Sequence, residues 1–343
     1  MSRVSKKRKP GLVWCIEREA EKIRWLWKDR IPADMLTLIA GQPGLGKSQL
    51  LLHIAALATT GRAWPDGCKC PVGNVLLLPA EDPIANTIRP RFEEAGGDLN
   101  RLLIWENMTD ESGTPGPIHL GRDIEILKEI IKDNDISLVE IDPLGSFMGK
   151  TDANRETAVR NVLYSVCKLA ETDRCTFICN VHHNKGGQDD TRAAMERILG
   201  SIAFPGAARS VWSVSVDRDD PERYLFLPAK QNYGPSNLGG YEYFIKPAGD
   251  VCKVVWGQQE CTITADESIK TGRTEAQTKI NKVKRMILDA LNGGVNAAKE
   301  IEETIMAQGV SKRTIARAKK ELGVQSHAVR ESGKTTAWLW SLE

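Results

Sequence analysis

The chain has 343 residues, of which 41% are hydrophobic and 27% charged, with a formal net charge of +2. That length exceeds one average domain and suits a large core with one appendage, and the composition is ordinary for a soluble globular protein. No apolar run approaches the roughly 18–20 residues that span a bilayer, and the basic start MSRVSKKRKPG lacks the apolar stretch of a signal peptide. The eight cysteines do not space as a disulfide or zinc framework. Cys167, Cys175 and Cys179 fall in apolar patterns, and Cys68-Lys69-Cys70 has no second Cys-x-x-Cys or histidine pair nearby. A cytoplasmic protein with reduced thiols and no membrane partner is the economical expectation.

In chain order, residues 1–30 read as a basic tail followed by a short amphipathic stretch around Ile23, Trp25, Leu26 and Trp27. The tail is either solvated and disordered or an arm for nucleic acid. From Met35 onward, apolar strand patterns alternate with helical ones: MLTLIAG, SQLLLHIAALATT, NVLLLPAED and a helix to about Ala95. Then come RLLIWEN, the helix DIEILKEIIKDN, ISLVEIDPL, a helix near 155–172, and CTFICNVHHNKGG. Continuous apolar strands separated by helices predict an α/β fold, a parallel sheet covered on both faces. After Gly200, ARSVWSVSVD, RYLFLPAK, YEYFIKPA and KVVWGQQ predict strands and hairpins along one sheet edge.

The core domain is thus expected over 31–265, a polar linker over 266–274, and a second domain over 275–343. In that domain Thr274 and Gln277 could form a capping box opening a helix with Ile280, Val283, Ile287 and Leu291 inward. A second helix spans about 297–307. Ser311 caps a third, with Ile315, Ala318 and Leu322 inward and Lys312, Arg313, Arg317, Lys319 and Lys320 outward. A strand pair turning at Ser332-Gly333 completes the plan of a winged helix-turn-helix. From Ser268 onward there are 14 Lys/Arg against 8 Asp/Glu, leaving 33 against 37 before it. A basic tail on an acidic core suits a polyanion partner. For this domain DNA binding, partner docking and a structural cap remain open.

Gly41-Gln42-Pro43-Gly44-Leu45-Gly46-Lys47-Ser48 is a complete phosphate-binding loop between an apolar strand and an apolar helix that continues with Gln49. Its glycines let several backbone N–H groups converge on phosphates, and the helix adds its positive N-terminal end. Lys47 is expected on the β- and γ-phosphates of ATP, and the Ser48 hydroxyl on Mg²⁺. ISLVEID ends in Asp142, the expected second side-chain contact to Mg²⁺ through water. NVLLLPAED ends in Glu81 and Asp82, where a carboxylate could orient the attacking water or simply cap a helix.

With these residues in place, the sequence resembles the RecA-like ATPases of the RepA type, hexameric replicative helicases of plasmids and phages and their prophage relatives. The shared features are the phosphate loop, ALATTGRAWPDG, LLLPAEDP, IRPRFEEAG, LVEIDPL, HHNKGG, GSIAFPGAARSVW and LPAKQNYG. They run in the family's order over about residues 25–245. The resemblance implies a RecA-like parallel sheet flanked by helices, with Glu81 as catalytic glutamate, Asp142 as the Walker B acid and His182 as γ-phosphate sensor. His183 is the adjacent alternative to His182, and a polar cluster at a strand end is the bland reading of the pair. It also implies a homo-oligomer, a hexamer, in which Arg209 and Lys230 reach a neighbour's ATP. Helicases of the related DnaB type carry Lys-x-Arg at the latter place, whereas this chain has Asn232, which shifts the weight to Arg209.

Loops after the Walker B and sensor strands face the channel of such rings and grip single-stranded DNA. Here they are 145–156, with Lys150 and Arg155, and 186–200, preceded by Lys185 and containing Arg192 and Arg197. An ATP-driven helicase or translocase of a mobile element or prophage is the expectation. A DNA-binding regulatory or recombination-mediator ATPase that loads partners without unwinding is the alternative.

Overall fold

The computed structural model describes residues 11–149, 156–182, 194, 203–217, 220–235, 237–269, 275–291, 296–331 and 334–341. Lys150, Arg155, His183, Lys185, Arg192 and Arg197 lie outside the described residues.

The apolar runs become strands β1 (Leu36–Gly41), β2 (Asn74–Pro79), β3 (Leu102–Ile104), β4 (Ile136–Asp142), β5 (Thr176–His182) and β6 (Ser210–Val216). β7 (Arg223–Gln231), β8 (Gly240–Ala248) and β9 (Val251–Cys261) follow. Among the described residues these nine form one sheet in the order β9-β8-β7-β6-β1-β5-β4-β2-β3. Strands β6 to β3 run parallel, and β7, β8 and β9 add antiparallel along one edge, as the sequence predicts.

Alternation along β4 shows why the sheet has helices on both faces. Val139 and Ile141 join one apolar cluster while Leu138 joins the other. Helix α1 (Lys47–Thr60) packs on the Leu138 side through Leu50, Leu51 and Ile54, and a short α2 (Arg89–Glu94) adds Phe92. Helices α3 (Leu120–Asp133) and α4 (Glu156–Thr172) cover the opposite face with Leu127, Val159, Leu163 and Val166. This is the parallel sheet covered by helices on both faces that the apolar strand runs predict. A short α5 (Ala203–Ala207) leads into β6.

The stretch expected to be merely amphipathic has a larger role. Trp25–Trp27 pairs with Ile31–Pro32 as an antiparallel ribbon, and Trp27 is fully buried. Its ring stacks on Trp64 at 4.4 Å, and its Nε1 donates to Asp66 at 2.8 Å. Truncating such a side chain to alanine costs about 3–5 kcal/mol.

The polar segment beginning at 266 is not all linker. A helix α6 (Ala265–Ile269) forms there. Thr264 accepts from the Glu267 N–H while Glu267 accepts from the Thr264 N–H and hydroxyl at 2.9 and 2.8 Å, a capping box too short to show a period.

Helices α7 (Glu275–Leu291), α8 (Ala298–Met306) and α9 (Lys312–Leu322) then enclose a separate apolar cluster that includes Val283, Ile287, Ile301, Ile305, Ile315 and Trp340. Strands β10 (Asn296–Ala297), β11 (Gln325–Glu331) and β12 (Lys334–Ser341) close it in the order β10-β12-β11. Ser311 caps α9 by accepting from the Thr314 N–H at 3.3 Å. Lys319 departs from the expected outward face: its ammonium lies 4.6 Å over the Trp340 ring and donates to Ser326, because the apolar ring offers a better seat than water alone.

Candidate nucleotide site

Parallel pairing aligns the strand ends on which the site depends. Gly41 pairs with His182, and Pro79 with Asp142, so the phosphate loop, Glu81, Asp142 and His182 meet at one edge of the sheet. Between them lies a cavity of about 390 Å³, lined by Gly44, Gly46, Lys47, Ser48, Glu81, Asp142 and His182 among others.

The loop is shaped for phosphate. Gly44 and Gly46 have φ of 81° and 69°, the left-handed region where a side chain is strained. A Cβ at Gly46 would also collide with the Ile245 side chain. Lys47 is buried and donates Nζ to the Gln42 carbonyl at 2.7 Å, holding the loop closed on itself. Burial lowers its pKa to about 8, opposed by the charges of Asp142 and Glu81. A buried ammonium satisfied by one loop carbonyl is a ready partner for an anion, which would restore the charge stabilisation that burial removes.

Asp142 accepts a side-chain hydrogen bond from Asn180 and lines the cavity beside Ser48. Burial raises its pKa, and the polar side chains of Ser48 and Asn180 and the charge of Lys47 pull the other way. The Ser48 hydroxyl and the Asp142 carboxylate, which line the same cavity, are the oxygen pair that a hard divalent cation such as Mg²⁺ takes at a phosphate site. His182 has a lowered pKa, first from burial and then from Lys47, and its buried Nδ1 has no partner among the described residues. A neutral imidazole lining the cavity can exchange a hydrogen bond with a phosphate oxygen. Glu81 is exposed on the cavity wall, open to water.

Several participants escaped the sequence reading. Arg91, on α2, lines the cavity and donates to Asp82 at 3.2 Å, so a cation of the same subunit stands beside the phosphate region. The turn before it, Ile84–Ile88, is π-helical, a rare geometry that interrupts any periodic signal. Asn180 orients Asp142, visible beforehand only as a polar residue in an apolar strand. The β8–β9 hairpin is tied to the loop, with the Tyr243 hydroxyl donating to the Leu45 carbonyl at 3.0 Å. Gln49 donates to the Cys252 carbonyl at 2.7 Å, so its amide is committed to that hairpin.

The remaining predicted residues lie elsewhere. Arg209 is exposed just before β6, at the opposite end of the sheet from the phosphate loop. Lys230 donates to the Pro205 and Ala208 carbonyls, both at 2.8 Å, and so caps the end of α5. On α9, Lys312 and Arg313 are exposed, whereas Arg317 pairs with Glu321 at 3.0 Å. Among the described residues no helix is long and apolar enough to cross a membrane.

A family model described as an AAA domain matches residues 8–188. No curated relative matches the chain in sequence. Among solved structures the chain is similar to one described as an ATPase domain, at 13% identity and a TM-score of 0.46, over 62% of this chain and 81% of that one. The family match extends over more than half of the chain and through each of the strands that carry the loop, the two acids and the histidine; the protein therefore belongs to the AAA domain family and is a P-loop ATPase.

Proposed function

We propose that this protein is an ATP-driven, ring-forming DNA helicase or translocase of the RepA type, serving replication of a mobile element or prophage. The observation that carries the reading is the division of the ATPase machinery between the two ends of one sheet. Lys47, Ser48, Glu81, Asp142 and His182 surround one cavity, and Arg209 stands at the far end of the sheet, which supports a role for it toward another copy's cavity. In such a site Glu81 polarises the attacking water, and Lys47 and His182 hold the γ-phosphate. Arg209 of a neighbour offsets the charge that builds on it. Mg²⁺, held by Ser48 and Asp142, supplies charge neutralisation at the phosphates when bound.

DNA is the proposed partner on two grounds. The loops after β4 and β5 carry Lys150, Arg155, Lys185, Arg192 and Arg197 in the sequence. The domain formed by α7–α9 and β10–β12 fits the winged helix-turn-helix plan, with α9 offering exposed Lys312 and Arg313. We read the chain as an ATPase domain over 31–265 joined to this domain over 275–343, and the assembly as a hexamer.

Strand separation of a forked DNA duplex, with ATP and Mg²⁺, tests the reading. Unwinding that is lost in Lys47→Ala is expected. ATP hydrolysis and DNA binding without unwinding would turn the assignment to the regulatory or recombination-mediator ATPase instead.

A further inference from the structure

The β11–β12 hairpin carries a side chain that the fold leaves unused. Of the nine tryptophans in the chain, seven are buried or half-buried, and only Trp14 and Trp338 are exposed. Trp338 is 53% exposed on β12, and no ring or cation stacks on it among the described residues. Alternation along a strand places it on the same face as Trp340, two residues on. Trp340 is buried in the domain core, with the Lys319 ammonium 4.6 Å over its ring. The paired strand sets Ser326 beside Trp340 and Ala328 beside Trp338. Only a methyl group faces the outer indole across the pair, so it stands open where the inner one is covered.

The surroundings are cationic. Arg330, two residues beyond Ala328, is exposed, and α9, whose Lys319 reaches this face, exposes Lys312, Arg313, Arg317 and Lys320. Two considerations separate the kinds of partner that fit. A protein-docking core is a contiguous apolar patch. Among the described residues of 275–341, however, the large exposed hydrophobic side chains are Leu288, on α7, and Trp338. A lone π-face bordered by guanidinium and ammonium groups is instead the combination that seats a nucleobase and its phosphates. Stacking of this kind takes an unpaired base, because a base inside a duplex has both faces covered.

We propose that Trp338 is a stacking platform for an unpaired base of single-stranded DNA, beside the duplex that α9 contacts, with Arg330 on an adjoining phosphate. The inference rests on the DNA-binding part of the proposed function. It names what this domain recognises there: the junction between duplex and single strand. Exposed cations alone would hold either form of DNA, since every phosphate carries the same charge. The open indole is the element that tells the two forms apart.

The test uses full-length protein without nucleotide and two labelled DNAs of one sequence, a blunt duplex and the same duplex with a short single-stranded tail. Trp338→Ala should weaken binding to the tailed DNA roughly 5- to 150-fold, the span of one lost base stack, and leave the blunt duplex within about twofold. Trp338→Phe, which keeps a π-face, should recover most of the loss. An iodouracil placed in the tail next to the junction should crosslink, under near-ultraviolet light, to the peptide holding Trp338, as mapped by mass spectrometry. Three results overturn the inference: equal losses on both DNAs, wild-type affinity of Trp338→Ala for the tailed DNA, or crosslinks that avoid this peptide. The second of these leaves the ring to a protein partner. Deletion of residues 268–343 is measured alongside. If the shortened chain binds both DNAs as the full chain does, the DNA reading of the domain fails. If it loses affinity where Trp338→Ala does not, the inference fails alone.

Discussion

Arg209 donates its backbone N–H to the carbonyl of Leu36 at 3.1 Å, at the end of β1 opposite Gly41. The five-residue climb from Leu36 to Gly41 is about 17 Å at strand rise, beyond the reach of an arginine side chain. Arg209 therefore cannot meet phosphates held by its own Lys47. A catalytic part for it requires a neighbour.

Complementation between variants separates the possibilities. Arg209→Ala and Lys47→Ala proteins should each lose roughly 10²–10³-fold or more in ATP turnover, the usual cost of removing a charge-stabilising donor. Mixed in equal amounts, they should recover a clear fraction of wild-type turnover, since some interfaces then join an intact Lys47 to an intact Arg209. If the mixture is no more active than its components, Arg209 has no role across the interface.

Two carboxylates near the site should behave oppositely on amidation. Glu81 is exposed in the cavity, and Glu81→Gln should lower kcat by at least about 10²-fold while leaving nucleotide affinity within a few-fold. Glu140 is fully buried in β4, with neither oxygen partnered among the described residues, and burial and then Asp142 raise its pKa well above the usual carboxylate range. Its neutral form is nearly isosteric with glutamine, so Glu140→Gln should retain turnover. Loss in Glu140→Gln comparable to that in Glu81→Gln would mean that the water-activating acid is misassigned. Steady-state kinetics with a nucleotide-binding control decides it.

Much of this arrangement could be read from residue order. The loop at 41–48 declares itself through glycine spacing between an apolar strand and helix, and Asp142 and His182 through polar residues closing apolar runs. What could not be read depends on contacts distant in sequence. Trp27 became a hub only because Trp64 and the strands carrying Trp212 and Phe226 fold against it. Arg91 follows a π-turn with no periodic signature, and Tyr243 reaches Leu45 from 198 residues away. Lys319 fits an outward position on a helical wheel, but Trp340 from a later strand draws it in.

His53 gives a pH dependence with a definite sign. Trp256 donates its indole N–H to His53 Nε2 at 3.0 Å, which requires that nitrogen to be unprotonated. Burial, then Arg62, lowers the pKa from 6.5 to about 4. Between those values the unfolded chain binds more protons than the folded one, so stability falls as pH drops. From pH 7 to pH 5 the contribution is about 2 kcal/mol. Denaturant unfolding of wild type and His53→Gln at both pH values should show a smaller pH difference in the variant. Equal differences would mean that His53 is already protonated in the fold.

The basic face of α9 gives a test with unequal expected contributions. Lys312 and Arg313 are exposed, whereas Arg317 shares Glu321 with Lys284, at 3.0 and 2.7 Å. A phosphate would therefore compete with that carboxylate for Arg317 but not for the other two. If the helix meets duplex DNA, Lys312→Ala with Arg313→Ala should reduce the slope of log affinity against log salt by about 2, one for each phosphate no longer neutralised. Arg317→Ala should change it by less than about 1. Binding isotherms at several salt concentrations measure all three, with deletion of residues 268–343 as the lower bound. Unchanged slopes in the double variant and in the deletion would remove DNA from the role of this domain and leave docking of a protein partner or a structural cap as its use.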